Sequence, residues 1–253
     1  MKTLLTILLC LSLLGLCACG QVEPEQTTPP PTTAQTTQVL TTTQVPKIKP
    51  TIEYPVSYKD APEAYKPILD DLYKFVYTLS NGLELDDSYS GKTGIAEIPA
   101  AFYRNGNFDN GSIGYAIKDI NNDGIPELML LNNDHYSTNE QFVLSLFTLN
   151  NDVPVFLEHY WVRSYARFAA DGTIYNIGSG GAATTYLSKY KLEPDSTELT
   201  KLPGEYMSDW GPIFVEIIDD DRKSIAEKEF YKLLELYSNP PSPMKLNFIP
   251  IEQ

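Results

Sequence analysis

The sequence predicts an α+β fold in which an antiparallel β meander is flanked by an N-terminal helix and a C-terminal helix. Apolar residues recur at helical spacing near both ends of residues 51–253, and short β-rich runs separated by turn residues fill the interval between them. Helices and strands therefore do not alternate along the chain. Helices segregated to the two ends of a domain fit an α+β architecture better than a doubly wound parallel sheet.

The first helix is expected to begin near Asp60, because Asp60-Ala61-Pro62-Glu63 offers a capping carboxylate with a glutamate three positions later. Asn81-Gly82 marks its end. Between these signals the apolar residues at helical spacing are Ile68, Leu69, Leu72, Phe75, Val76 and Leu79. A single apolar stripe is typical of a helix that covers a core.

The second helix is expected near the C-terminus, after the capping-box pattern Ser224-Ile225-Ala226-Glu227. Asn239-Pro240 marks its end. Its apolar positions are Phe230, Leu233, Leu234 and Tyr237. This helix also has one apolar face, so it too is predicted to cover a core.

Between the helices, eight runs have the length and composition of β-strands. They are Ile113–Ile117, Glu127–Leu131, Phe142–Leu149, Val153–Tyr160, Tyr165–Ala169, Thr173–Ile177, Thr184–Leu192 and Ile213–Ile218. Turn residues separate several of them: Asn150-Asn151-Asp152, Asp171-Gly172 and Glu193-Pro194-Asp195. The short spacing predicts strands that follow one another in an antiparallel meander.

The N-terminus has the pattern of a signal peptide. Lys2 precedes an apolar run, residues 4–16, which closes on Leu16-Cys17-Ala18-Cys19-Gly20. This pattern resembles the lipobox of bacterial lipoproteins, in which a cysteine after a small residue receives diacylglycerol and becomes the mature N-terminus. The resemblance implies that residues 1–18 are removed and that Cys19 carries the lipid anchor, with fatty acids such as palmitate.

Two alternatives to the lipobox remain open: a secretory signal cleaved elsewhere and an uncleaved membrane helix. The apolar run is too short for an uncleaved membrane helix, because a helix that spans a bilayer needs about 20 apolar residues. If Cys19 is lipidated, Cys10 and Cys17 lie in the removed segment, so the mature domain has no free thiol. Disulfides, thiolate metal sites and a cysteine nucleophile are then excluded.

A Thr-, Pro- and Gln-rich segment, residues 19–50, precedes the domain and has few large apolar side chains. Such a segment does not bury enough apolar area to offset the entropy of ordering it, so it is predicted to be a disordered tether. Two roles are open for this tether: it lifts the domain through an envelope layer, or it is a passive spacer. The roughly 200 residues that follow, 51–253, suit a single domain with a sizeable core.

The chain is acidic, with 19 Lys and Arg against 33 Asp and Glu and a formal net charge of −14. Such a charge repels phosphate backbones and anionic lipid surfaces. The composition therefore argues against nucleic acid as a partner and favours cations or basic partners.

The clearest chemical motif is Asp119-Ile120-Asn121-Asn122-Asp123-Gly124-Ile125-Pro126-Glu127, here called the acidic loop. Its oxygen-bearing side chains stand at alternate positions around a glycine, an arrangement suited to a hard cation such as Ca²⁺. The predicted ligands are the side chains of Asp119, Asn121, Asp123 and Glu127 and the backbone carbonyl of Ile125. Calcium is thus the predicted cofactor, in a structural role. The alternative is a polar turn whose side chains bond backbone amides without a metal.

The acidic loop is not an EF-hand, because the twelfth position, which carries a bidentate glutamate in that motif, is Leu130. It resembles the short calcium loops of FG-GAP and VCBS-type β-propeller repeats, where Asp-x-Asn-x-Asp-Gly-x-x-acid links two strands. Those families repeat the motif and this chain has one copy, so the resemblance implies the loop geometry and not a propeller. With the tether and the lipobox, the chain is similar to uncharacterised lipoproteins of clostridia and their relatives, which implies no particular activity.

Other polar groups are weaker candidates. Gly178-Ser179-Gly180-Gly181 lacks the Lys-Ser/Thr pair of a phosphate-binding loop, and His135 and His159, the only histidines, do not have metal-ligand spacing. Two acid clusters, Asp86-Asp87 and Asp219-Asp220-Asp221, are candidates for the carboxylate pair of a glycoside hydrolase. The second cluster precedes the predicted C-terminal helix, where acids also favour the helix dipole.

The sequence as a whole favours a membrane-anchored lipoprotein on the extracytoplasmic face, acting as a calcium-stabilised binding or interaction module. Its expected partners are the membrane, through the lipid anchor, and an envelope or extracellular ligand whose identity stays open. The alternative is a cell-envelope hydrolase that acts on glycan or peptide through carboxylates. A solute-capture subunit of a transporter fits less well, because such proteins usually have two alternating α/β lobes.

Overall fold

Most of the regular structure lies in two antiparallel sheets, each built mainly from strands that follow one another in sequence. The computed structural model describes residues 51–81, 113–133, 141–160, 163–210 and 213–251. These residues belong to the compact unit Pro50–Gln253. The predicted signal peptide, Cys19 and the tether lie outside the described residues.

The first sheet has the strand order β11-β1-β2-β3-β4, with every neighbouring pair antiparallel. Its strands are β1 (Ile113–Lys118), β2 (Glu127–Asn133), β3 (Gln141–Asn150), β4 (Val153–His159) and β11 (Ile249–Pro250). Lys118 at the end of β1 pairs with Glu127 at the start of β2. The acidic loop is therefore the direct connection between these two strands.

The second sheet has the order β10-β9-β8-β7-β6-β5 and is antiparallel throughout. Its strands are β5 (Ser164–Phe168), β6 (Thr173–Ser179), β7 (Thr185–Leu192), β8 (Leu199–Asp209), β9 (Ile213–Ile218) and β10 (Asp221–Ser224). Each strand pairs with the next one along the chain, so this sheet is an uninterrupted meander.

Two α-helices complete the described structure. A 3-10 turn, Glu63–Tyr65, leads into α1 (Lys66–Ser80), and α2 (Glu227–Ser238) follows β10. The apolar stripe of α1 is buried, and Leu72 and Phe75 are fully inaccessible to solvent. In α2 the buried positions are Phe230 and Tyr237. Both helices thus use a single apolar face, as expected for helices that cover a sheet.

The helices and sheets form four layers in the order α1, first sheet, second sheet, α2. One apolar cluster joins α1 to the first sheet, a second joins the two sheets, and a third joins the second sheet to α2. β2 shows this arrangement clearly, because Leu128 and Leu130 belong to the first cluster whereas Met129 and Leu131 belong to the second. A strand buried on both faces is expected to contain a continuous apolar run, and residues 128–131 of β2 form one.

The predicted fold class is confirmed: the domain is α+β, with antiparallel meanders and a helix near each end. The sequence predicted the meander but not its division into two packed sheets. Within the described ranges, no helix is long and apolar enough to cross a membrane.

The predicted helix caps are wrong. Pro62 precedes the 3-10 turn, Tyr65 precedes α1 and Ala226 precedes α2, all without a side-chain capping hydrogen bond. Asp60 instead adopts a left-handed conformation with φ 59° before the turn. Ser224 is the last residue of β10. Pairing in the sheet therefore takes Ser224 away from the helix that it was predicted to cap.

Strands β8, β10 and β11 were not predicted. β8 contains Pro203 and Gly204, which interrupt the apolar pattern, and Gly204 has φ 95°. β10 is exposed along its whole length, so it has no apolar face to reveal it. Asp219 and Asp220 form the tight turn before β10, with φ 49° and 70°. These acids belong to a β-hairpin, and the prediction that they precede a helix start is wrong.

Candidate metal centre

The acidic loop reverses the chain between β1 and β2 through local hydrogen bonds. Asp119 accepts from the backbone N–H of Asn122 through Oδ1 (2.7 Å) and from that of Gly124 through Oδ2 (3.0 Å). Asn122 and Gly124 both adopt left-handed conformations, with φ 62° and 86°. Glycine takes this conformation without strain and asparagine tolerates it. The predicted tight turn is confirmed.

Asp123 accepts three hydrogen bonds. Its Oδ1 accepts from the N–H of Ile125 (2.7 Å), and its Oδ2 accepts from Nδ2 of Asn121 (2.8 Å) and from the N–H of Asp195 (3.0 Å). Partial burial acts to raise the pKa of Asp123, but these hydrogen bonds stabilise the carboxylate and the pKa is lowered overall. Asp123 is therefore ionised at neutral pH.

Glu127 is fully buried at the end of the loop. Its Oε2 accepts from the N–H of Ile120 (2.9 Å) and its Oε1 from the hydroxyl of Thr148 (3.0 Å). Burial raises the pKa of the Glu127 carboxyl to about 7; the two hydrogen bonds oppose this shift, and the charges of Asp123 and Asp119 add to it. No Lys, Arg or His among the described residues forms an ion pair with Glu127.

The predicted ligands have the donor chemistry that calcium requires. Asp119, Asn121, Asp123 and Glu127 supply side-chain oxygens and Ile125 supplies a carbonyl, and hard cations prefer oxygen ligands. Among the described residues, no group of three or more His, Cys, Asp or Glu side chains is arranged as a metal site. Each loop carboxylate accepts hydrogen bonds from N–H or O–H groups. The calcium ligand set therefore stays a prediction that the donor chemistry supports.

The loop also contacts the second sheet, which the sequence reasoning missed. Asn121 donates through Nδ2 to the carbonyl oxygen of Glu193 (3.2 Å), and Asp195 donates to Asp123. Glu193 and Asp195 lie between β7 and β8, 72 residues beyond their partners in sequence. No local pattern links positions so far apart, and the only signal was the Glu193-Pro194-Asp195 turn itself.

The weaker candidates that the structure describes lie in other strands and turns than the acidic loop. Asp86-Asp87 and His135 lie outside the described residues. The side chain of His159 at the end of β4 lies 3.7 Å from the carboxylate of Glu158. Asp219–Asp221 are exposed. Ser179 ends β6, and its hydroxyl donates to the carbonyl of Gly181 (2.6 Å), as in a polar turn.

One end of the second sheet exposes large apolar side chains. Trp210 directly follows β8 and is 73% exposed, and Ile213 at the start of β9 is 51% exposed. Tyr186 is the second residue of the adjacent strand β7 and is 36% exposed. Thr184 and Asp209 are hydrogen-bonded to each other (3.0 Å) at the same end. These side chains are here called the aromatic end of the second sheet.

No family model matches this chain, no curated protein matches it, and no solved structure matches its fold.

Proposed function

We propose that this protein is a lipoprotein anchored on the extracytoplasmic face of the membrane, whose α+β domain is stabilised by calcium and acts as a binding module. The main support for a calcium site in the acidic loop is the full burial of Glu127. Burial raises the pKa of Glu127 to about 7, the charges of Asp123 and Asp119 add to this shift, and no cationic side chain among the described residues pairs with the carboxyl. A buried charge requires compensation, and a cation supplies it.

Calcium would be held by the side chains of Asp119, Asn121, Asp123 and Glu127 and by the carbonyl of Ile125. When bound, the ion neutralises the carboxylates of the β1–β2 connection and stabilises that turn. Sites in extracellular modules have dissociation constants of about 10⁻⁴ to 10⁻³ M, which suffices where calcium is near millimolar. A structural role requires no tighter binding than this.

The anchor is proposed from the N-terminal pattern alone, which resembles a lipobox at Cys19. The test is metabolic labelling of the full chain, produced in a bacterium, with a clickable palmitate analogue. We expect wild type and Cys17→Ser to be labelled and Cys19→Ser to lose the label, because Cys17 lies in the segment predicted to be removed. Label retained in Cys19→Ser would refute lipidation at this residue.

The binding role is supported by the aromatic end of the second sheet. Single exposed apolar residues are ordinary, but grouped ones next to hydrogen-bonding side chains are typical of interaction sites. Trp210 is the most exposed aromatic residue among those described. A side chain this exposed contributes little to folding and is free to contact a ligand.

Trp210→Ala is expected to reduce retention of the detergent-solubilised full chain on cell-envelope fragments stripped of lipid, measured by co-sedimentation, because the lipid anchor then contributes nothing to retention. Tyr231→Ala is the matched control, because Tyr231 on α2 is also an exposed aromatic, at 54%. Both substitutions are expected to change the free energy of unfolding by less than about 0.5 kcal/mol. Equal retention of wild type and Trp210→Ala would remove the aromatic end from the proposal.

A further inference from the structure

The side chains predicted to hold calcium are also the ones that connect the acidic loop to the second sheet. Asn121 donates through Nδ2 to the Glu193 carbonyl oxygen at 3.2 Å, and Asp123 Oδ2 accepts from the Asp195 N–H at 3.0 Å. Glu193 and Asp195 belong to the β7–β8 turn, residues 193–198. Two polar contacts thus join a loop of one sheet to a turn of the other.

Apolar packing places the same loop firmly against the second sheet. Ile120 is 1% exposed and belongs to the cluster between the sheets, with Ile174 of β6 and Leu192 of β7. The backbone approach is also close, because a methyl group added at Gly172, between β5 and β6, would lie 2.5 Å from the Ile120 carbonyl oxygen. The acidic loop therefore lies at the junction of the two sheets.

We infer that calcium bound at the acidic loop locks the β7–β8 turn onto the first sheet, so that the turn opens only when the ion leaves. This inference rests on the proposed calcium site and adds a regulatory consequence to it. Groups that hydrogen-bond to metal ligands orient those ligands. Here the Glu193 carbonyl orients Asn121 and the Asp195 amide orients Asp123. When the ion holds Asn121 and Asp123 in place, it also holds the hydrogen-bond partners of Glu193 and Asp195 in place.

The coupling is reciprocal by thermodynamic linkage: if calcium favours the docked turn, the docked turn favours calcium binding by the same factor. The proposal therefore makes the contact between the sheets sensitive to external calcium. Loss of calcium would free the end of the second sheet that carries Glu193 and Asp195. The opposite, aromatic end would keep its own strand pairing.

The test is backbone hydrogen exchange of the full chain in detergent, with EDTA and with about 1 mM calcium. If opening requires release of the ion, exchange slows by one plus the ratio of calcium concentration to dissociation constant. For a constant of about 10⁻⁴ M the hydrogen-bonded amides of the turn, those of Asp195, Ser196 and Glu198, slow roughly tenfold. The β9–β10 turn at Asp219 and Asp220 is the internal reference and is expected to be unchanged.

Asn121→Asp tests the contact, because it keeps an oxygen ligand and removes the Nδ2 donor to Glu193, together with the Nδ2 bond to Asp123. Asn122→Asp is the matched control: it adds the same charge to the loop at an exposed residue whose side chain makes none of these contacts. We expect Asn121→Asp to lose at least half of the calcium-dependent slowing in residues 193–198. We expect Asn122→Asp to keep the full calcium-dependent slowing in these residues.

Calcium titration by calorimetry separates the possible failures. If wild type binds calcium and slows exchange only within the acidic loop, the lock is refuted and the proposed calcium site stands. If wild type binds no calcium, the calcium part of the proposed function fails and the lock fails with it. If Asn121→Asp binds calcium and keeps the full slowing of the turn, the assignment of Asn121 to the lock is overturned.

Discussion

Replacement of Asp123 by alanine removes three hydrogen bonds and one predicted calcium ligand at once. The lost partners are the N–H groups of Ile125 and Asp195 and the side-chain amide of Asn121, at 2.7 to 3.0 Å. A hydrogen bond contributes a net ~0.5–1.5 kcal/mol, and the partly exposed amides here regain bonds to water. In EDTA we therefore expect Asp123→Ala to lower the free energy of unfolding by about 1 to 3 kcal/mol.

Calcium adds a second and separable difference. At about 1 mM calcium and a dissociation constant of about 10⁻⁴ M, a site that binds only the folded state stabilises it by about 1.4 kcal/mol. For a domain of about 200 residues this raises the melting temperature by about 3 to 6 °C. Wild type should show this rise, whereas Asp123→Ala should melt at the same temperature with EDTA and with calcium.

The assay is thermal unfolding of the full chain followed by circular dichroism, with Asp221→Ala as the control. Asp221 is exposed in β10, so its replacement removes the same charge at a position away from the loop. The control should keep the full calcium-dependent rise. An equal rise in Asp123→Ala and wild type would refute the assigned ligand. The absence of any rise in wild type would refute the calcium site itself.

Two further predictions concern the core and the turns. Burial raises the pKa of Tyr115 to about 12, above its usual value of 10.0, so its contribution to stability is complete below pH 10 and is lost as the pH rises towards 12. Tyr115→Phe should reduce the stability lost over this interval by about 1 to 2 kcal/mol, measured by urea unfolding at pH 8 and about pH 11.5; an unchanged loss would contradict this assignment. Gly124 and Gly172 have φ 86° and 84°, but only at Gly172 would a methyl group meet backbone atoms. In EDTA, Gly172→Ala should therefore destabilise the fold by at least about 1 kcal/mol more than Gly124→Ala, and equal melting temperatures would contradict the close packing.

Local patterns predicted the elements that depend on local rules. The apolar stripe from Ile68 to Leu79 predicted α1, which spans Lys66–Ser80 and is followed by Asn81 as expected. Each of the eight runs predicted as strands corresponds to a strand in the structure, because apolar or β-branched residues of these runs face a core. β8 was missed because Pro203 and Gly204 obscure its pattern, and its place in the sheet depends on pairing with β7 and β9.

The helix caps show where local rules fail. Ser224 and Glu227 have the residue types and spacing of a capping box, yet Ser224 pairs in β10 and Ala226 precedes the helix. The two patterns compete for one residue. Ser224 pairs with β9 and does not cap the helix, because strand pairing satisfies backbone groups that a side-chain cap does not reach.

The local sequence is enough to specify the tight turn of the acidic loop, since its hydrogen bonds join residues no more than a few positions apart and its left-handed residues are Asn122 and Gly124. It also determined the chemistry of the oxygen donors. The full burial of Glu127 and the contacts of the loop with Glu193 and Asp195 arise from the packing of the two sheets. Burial and contacts across 72 residues depend on how the two sheets pack, and no periodicity within one segment encodes that packing.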